Sequence, residues 1–238
     1  MILWPPCCGG SLLVAVRWLF MFLQDALDFL PILLKGAVVT VQVTAGSFLL
    51  SSVIGLLFAL MMVSKIRAIA LFAIGVVNVI RGLPIIVQLF YIYFVLPDFG
   101  IQLSAMQAGV IGLGIAYSAY QAENFRAGIQ AIDLGQIEAA ESFGMRGLLI
   151  MRRIVLPQAF RIALPPYGNT LVMMLKDSSL VSTITVAEMT RQGQLIASST
   201  FENMTVYTLV ALLYLSMSLP LSYGLRRLEG RFALRRRT

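Results

Sequence analysis

Apolar and polar positions fall along this chain in long blocks. No charged residue occurs from Gly36 to Ser64. A helix needs only about 20 residues to cross the hydrocarbon layer, so this run predicts a long first span that tilts or protrudes. Gly46 and Gly55, among Ser47, Ser51 and Ser52, predict close packing of that span on a neighbour. Ahead of it, residues 21–31 set Phe22, Leu23, Ala26, Leu27 and Leu30 against Asp25 and Asp28, the pattern of an amphipathic helix at the outer interface. Lys65 and Arg67 close the first span. Residues 68–80 and 82–96 are each too short to cross alone, and Arg81-Gly82-Leu83-Pro84 stands between them. One kinked second span is expected, with Pro84 removing a backbone hydrogen bond and Arg81 held at depth. Pro97-Asp98-Phe99-Gly100 predicts an outer turn, followed by a third span over 106–128 that carries Glu123 and Arg126 near its inner end.

A soluble-looking island, residues 138–157, separates the third span from the fourth. Leu134, Ile137, Ala140, Gly144 and Leu148 recur at three- and four-residue spacings, while Glu138, Glu141 and Arg146 lie off that stripe. The pattern predicts a short amphipathic helix whose end is loosened by Gly144 and Gly147. Pro157 marks the start of the next helix, since proline is tolerated in a first turn. A fourth span then begins near Leu156. Its apolar part, 162–175, is short and runs into Lys176-Asp177-Ser178-Ser179-Leu180, charges that must face protein or a cavity in a broken span. A helix near the outer face over 186–201 and a fifth span over 203–225 complete the pattern.

Composition agrees with the blocks. The 238 residues are 59% hydrophobic and 12% charged, with a mean hydropathy of +0.87, against about 45–50% apolar and about 25% charged in a soluble domain. The chain reads as an all-α polytopic membrane protein with no room for a nucleotide-binding domain. The net charge of +7 is clustered. Arg226, Arg227, Arg231, Arg235, Arg236 and Arg237 crowd the C-terminus, while Lys65, Arg67, Arg146, Arg152, Arg153 and Arg161 mark two inter-span loops. Cytoplasmic loops retain Lys and Arg, so five crossings from an outside N-terminus to an inside C-terminus are expected, with Lys35 the lone exception. A basic tail on anionic lipid heads fits this charge better than nucleic acid does. The division is residues 1–31, an N-terminal extension and outer interfacial helix; 32–228, the transmembrane domain with the island at about 133–157; and 229–238, a basic cytoplasmic tail.

Several chemistries are excluded. There is no histidine, which removes His-based triads, proton shuttles and imidazole metal sites, and no GxxxxGK[ST] phosphate loop. Cys7 and Cys8 are adjacent and badly placed for a disulfide or a zinc knuckle. Residues 12–23 faintly suggest a signal sequence, without the basic n-region.

Glu138-Ala139-Ala140, three residues, Gly144, nine residues, then Ile154-Val155-Leu156-Pro157 resembles the EAA loop of ATP-binding-cassette importer permeases. Arg81-Gly82-x-Pro84 followed by Gln88-Leu89-Phe90 resembles the RGTP-type motif of the polar amino acid branch (His/Glu/Gln/Arg/opine), with Leu83 and Asn78 departing from its usual threonine and glutamate. The run from Ala122 to Gln130 resembles the same branch. So does Leu164-Pro165-Pro166, Gly168-Asn169 and the run from Lys176 to Leu180. The resemblance covers roughly Leu27 to Leu228. It begins near Met21, which makes Met21 an alternative translation start beside Met1; a peptide covering Trp4–Arg17 from the native protein would sink that alternative.

The resemblance implies the five-transmembrane-helix core of a type I, MetI-like importer permease in a bacterial cytoplasmic (inner) membrane. It implies two separate ATPase subunits that hold ATP and Mg, a second permease copy or sibling, and an extracytoplasmic solute-binding protein. This chain would bind no cofactor and catalyse no reaction itself. Glu138, Ala139, Ala140, Gly144, Ile154, Leu156 and Pro157 would couple it to the ATPase. For the solute path, Arg81, Gly82, Pro84, Gln88, Tyr91, Glu123, Asn169, Lys176 and Asp177 are candidates: polar groups and helix breaks that offer a cation for a carboxylate and an acceptor for an ammonium. Each also has a purely structural reading, an ion pair for Glu123 and Arg126 and polar networks for Lys176 and Asp177. An ion-gradient-driven secondary transporter would share the broken helices and buried charges but not the EAA spacing. A membrane enzyme is the weakest reading, since no nucleophile and base pair can be assembled.

Overall fold

The computed structural model describes residues 11–232, with side-chain surroundings for residue 22 and residues 24–231. Cys7, Cys8 and Arg235 to Arg237 lie outside the described residues. The first helix, α1, runs unbroken from Ser11 to Met62 and carries Pro31 inside it. The separate interfacial helix expected over 21–31 is therefore part of the first span's own helix. Pro31 removes one N–H from a helix held by many other hydrogen bonds, and Leu33 beyond it is fully buried against Val206, Leu209 and Val210 of the last helix. That packing carries the helix through the proline.

The second unit departs further from expectation. Helix α2 (Arg67–Gly82) and helix α3 (Ile85–Phe90) meet at an angle of 99°. A π turn (Tyr91–Val95) and a 3-10 turn (Leu96–Phe99) extend α3. This is a right-angled elbow, far sharper than the expected kink. Leu83 (φ −99°, ψ 137°) and Pro84 (φ −57°, ψ 136°) are both extended. A residue before proline is pushed out of the helical region by the ring, and two extended residues in succession turn the chain where one proline would only tilt it.

Helix α4 (Ala105–Gln130) is the centre of the bundle. Ser104 and Gln107 close its N-terminus with a reciprocal capping box. Its buried positions are mostly small, among them Gly109, Gly112, Ala116, Ser118, Ala119 and Ala122, so α1, α2, α3 and α7 approach it closely. The predicted packing of the first span is observed: Ser47 donates to the Val110 carbonyl at 3.2 Å, and a Cβ at Gly55 would stand 2.6 Å from the Gln121 Cβ.

Helix α5 (Leu134–Ser142) follows, then α6 (Gly147–Ile150), a π turn (Met151–Val155) and α7 (Leu156–Asp177). α-Helical hydrogen bonding resumes at Leu156 as expected, but helical backbone starts earlier, at Gly147. The wide turn sits where Pro157 takes an N–H out of the ladder and its ring needs room. The fourth span gives up α-helical backbone at Asp177, within the charged run from Lys176 to Leu180 where a break was expected. α7 continues through Pro165 and Pro166 to Asp177, because Ala163, Gly168, Thr170 and Met174 are buried against neighbouring helices. A 3-10 segment (Ser178–Ile184), α8 (Met189–Thr200) and α9 (Asn203–Phe232) complete the order. α9 continues into the first residues of the expected basic tail.

Among the described residues two helices are long and apolar enough to cross a membrane on length and composition, Gln24–Met62 and Asn203–Arg231, and the bent pair counts as a third if its two arms form one span. α4 and α7 do not stand out by apolarity, since their small and polar residues face other helices. At 26 and 22 residues they extend roughly 39 and 33 Å, enough for a crossing. The apolar exterior lies on the outer helices: Leu49, Val53 and Leu57 on α1, and Leu212, Leu215 and Leu219 on α9, are exposed. With large apolar side chains outside and glycine, serine and alanine inside, the bundle is built for a hydrocarbon solvent.

Candidate functional site

The island folds as a small hairpin with its own core. Asp133 caps α5, its carboxylate accepting from the Gly135 N–H at 2.7 Å. Gly144 has φ +73°. The Gly144 N–H donates to the Glu141 carbonyl at 2.8 Å and the Met145 N–H to the Ala140 carbonyl at 3.1 Å. These are the two bonds of a Schellman stop, which needs a left-handed residue where Gly144 stands. Inside the hairpin Ala140, Ile132, Ile150 and Val155 are buried, with Ile137, Met145 and Ile154 packed against them. Gln158, on the first turn of α7, donates to Gln136 of α5 at 2.7 Å and to the Ile154 carbonyl at 3.1 Å. The hairpin is thereby tied to α7.

The predicted stripe holds only in part. Ile137 and Ala140 face inward, but Leu134 and Leu148 point out. The helix stops at Ser142, so a 3.6-residue period has no meaning beyond it. The outer rim consists of Glu138, Ala139, Glu141, Phe143 and Leu148, the last two 88% and 84% exposed. Leu156 and Pro157 are exposed and Ile154 is half-buried.

A polar line runs along α4. The Glu123 carboxylate accepts from Arg81 at 3.3 Å on one oxygen and from Arg126 at 2.6 and 2.8 Å on the other. Arg126 also donates to Gln130. The Arg81 guanidinium stands 5.6 Å from the centroid of the Tyr120 ring, which packs on Tyr117 at 5.7 Å, and the Tyr117 hydroxyl donates to Asp177 at 2.6 Å. Arg81, Glu123 and Asp177, distant in sequence, are thus joined through two tyrosines. At the elbow, Gly82 and Pro84 are exposed, and the Gln88 amide donates to the Ile80 and Leu83 carbonyls. Tyr91, Asn169 and Lys176 are exposed, and their side chains make no hydrogen bond to any described residue. An apolar cleft between α1, α4 and α7, lined by Ser52, Phe125, Leu156, Phe160 and Tyr167, contains none of the nine path candidates.

A family model described as "Binding-protein-dependent transport system inner membrane component" matches residues 51–234. The chain belongs to the binding-protein-dependent transport system inner membrane components. This inner membrane component is 37% identical over 200 residues to the "Probable amino-acid ABC transporter permease protein y4tG" of Sinorhizobium fredii, covering 84% of this chain and 87% of the relative. Its fold matches a chain of the "Crystal structure of an amino acid ABC transporter with histidines" with a TM-score of 0.83 and 41% identity, covering 87% and 97% of the two chains. A chain of the MetNI methionine ABC transporter in an inward-facing conformation shares the fold, with a TM-score of 0.74 and 21% identity, covering 85% and 97%. The all-α, MetI-like core is therefore the fold of this inner membrane component, and the ion-gradient-driven alternative has no support.

Sequence reasoning missed some of the component's polar positions. Glu188 is fully buried as the cap of α8, accepting from the Thr190 and Arg191 N–H groups at 2.8 and 2.7 Å and from the Tyr214 hydroxyl at 2.9 Å, with Thr40 at 3.4 Å. Asn124 joins Gln121 and Thr170 at 3.1 Å each. The lone glutamate ahead of a helix was the available signal for the first. The second, made across two helices, had none.

Proposed function

We propose that this chain is the membrane-spanning permease of an ATP-driven importer that carries a polar amino acid or a related derivative inward by alternating access. The carrying observation is the hairpin of α5 and Gly144: a short capped helix, fixed to α7 and presenting an apolar and acidic rim outward. Such a knob suits the groove of a soluble ATPase subunit. Glu138 would offer it a charge, and Ala139, Phe143 and Leu148 a surface of small and large apolar groups. Ala140, Ile154 and the Gln136–Gln158 bond connect the knob to the helices behind it, so that a push on the rim moves α7 with it. Leu156 and Pro157 begin the helix that moves. ATP and Mg belong to the ATPase, and this chain holds neither.

The partners are two ATPase subunits inside, a second permease copy or sibling, and a solute-binding protein outside. The clusters of Lys and Arg favour an outside N-terminus and an inside C-terminus. Amino acids are the substrate class named for the relatives at 37% and 41% identity. The joined Arg81, Glu123 and Asp177 add both signs of charge beside the elbow, as a zwitterion requires. In this scheme nucleotide biases the inner end and the loaded binding protein the outer end of one two-state bundle.

The test is purification in mild detergent, identification of the co-purifying chains, and an ATPase assay. An associated ATPase stimulated by a binding protein loaded with an amino acid supports the reading. A chain that purifies alone and transports in proteoliposomes on an ion gradient sinks it.

A further inference from the structure

We propose that Gln88 is a positioning residue that clasps the elbow between α2 and α3 and so sets the angle between the two arms. A helix end leaves carbonyls without partners, and this end is worse than most because Pro84 has no N–H and the Leu83 N–H reaches Ile80 only at 3.4 Å. Gln88 lies one turn into α3, its backbone N–H on the Pro84 carbonyl at 3.2 Å. Its side-chain amide reaches back over the break. One N–H takes the Ile80 carbonyl of α2 at 2.9 Å, the other the Leu83 carbonyl at 3.0 Å. Both amide hydrogens are used, and among the described residues no other side chain hydrogen bonds across the elbow.

Each arm has its own anchor on α4. Ala73 and Val77 of α2 are buried beside Ala119 and Ala122, and Leu89 of α3 lies against Gly112, where a Cβ would come within 2.6 Å of it. The clasp is thus not needed for the arms to dock. It holds their mutual angle, and with it the place of Arg81 beside Glu123. The chemistry is donation to two backbone carbonyls, which the sequence pattern around Arg81-Gly82-x-Pro84 does not reveal.

The test compares Gln88→Met and Gln88→Glu, which keep the length but remove the donors, with Gln88→Lys, which keeps donors. Cys7 and Cys8 are replaced by serine, spin labels go on cysteines introduced at Phe72 and Phe94, and labelled chains are diluted among unlabelled ones in the reconstituted complex. The parent should give one narrow intrachain distance. Gln88→Met and Gln88→Glu should broaden it and lower the maximal uptake rate about tenfold, with the half-saturating solute concentration changed less than about twofold. Gln88→Lys should stay near the parent in both readings. A narrow, parent-like distance in Gln88→Met and Gln88→Glu overturns the clasp. So does a raised half-saturation with maximal rate intact, which would make Gln88 a solute contact, or Gln88→Lys behaving like Gln88→Met. The distance needs no transport to be read. A parent chain that supports no uptake would therefore overturn the functional reading and leave the distances to decide the clasp.

Discussion

Arg81 and Glu123 stand 42 positions apart in sequence and meet at 3.3 Å, with the second oxygen of the same carboxylate held by Arg126 at 2.6 Å. One carboxylate thus serves two guanidinium groups, one at the elbow and one near the C-terminal end of α4. The side chains are partly open, 41% exposed at Arg81 and 24% at Glu123. The pair itself is then worth only about 0–1 kcal/mol, and its role is to place charge more than to hold the fold.

That arrangement predicts an asymmetry. Glu123→Ala leaves two arginines without their carboxylate, whereas Arg81→Ala leaves Glu123 still paired with Arg126. Thermal unfolding of the detergent-solubilised complex should shift little for Arg81→Ala and further for Glu123→Ala, by up to about 1 kcal/mol for each pair lost. Equal shifts would mean that Arg126 does not depend on Glu123. If Arg81 lines the solute path, Arg81→Ala also lowers uptake; unchanged uptake and affinity would remove it from that path.

Gly144 predicts a coupling defect that originates in backbone conformation. A Cβ there would meet nothing within 4 Å, so the obstacle is the left-handed φ, which costs an ordinary L-residue about 1–2 kcal/mol. Gly144→Trp should insert normally yet abolish stimulation of the ATPase by the loaded binding protein, while Gly144→Asn, tolerant of that φ, should retain much of it. Transport surviving in Gly144→Trp would refute the coupling role.

Tyr117 is buried and its hydroxyl supplies the hydrogen bond to Asp177 at 2.6 Å. Tyr117→Phe keeps the ring on Tyr120 but leaves the carboxylate short of a donor. A loss of about 1–3 kcal/mol is expected, and Asp177→Asn, which can still accept, should lose less. The two variants melting alike would show that the charge on Asp177 does not enter.

Gly55 is a packing prediction. Its Cβ would stand 2.6 Å from the Gln121 Cβ and 2.9 Å from the Ser118 carbonyl oxygen, neither a flexible end. Gly55→Ala should destabilise the bundle by about 1–3 kcal/mol, read as reduced monodisperse yield and a lower melting temperature. Gly75→Ala is the control, because nothing lies within 4 Å of that position.

The sequence by itself determined the class of solvent and the family, and it set the expectation of five crossings and of a coupling island. These depend on local quantities: the length of an uncharged run, the side on which Lys and Arg cluster, and fixed spacings such as Glu138 to Gly144. It foresaw the close packing at Gly55 for the same reason, since small residues in an apolar span have one common use. Tertiary structure alone decided the rest. Whether Pro31, Pro84 or Pro165 breaks a helix depends on what lies against it. α1 and α7 are carried through their prolines by buried neighbours, whereas Leu83 and Pro84 turn by 99° with α4 anchoring both arms. Which polar residues meet is likewise set by the angles at which helices cross. Arg81 found Glu123 and Tyr117 found Asp177 through the bundle, and Gln88, which reads in sequence as one more polar group on a span, spends both its donors on the backbone of the elbow.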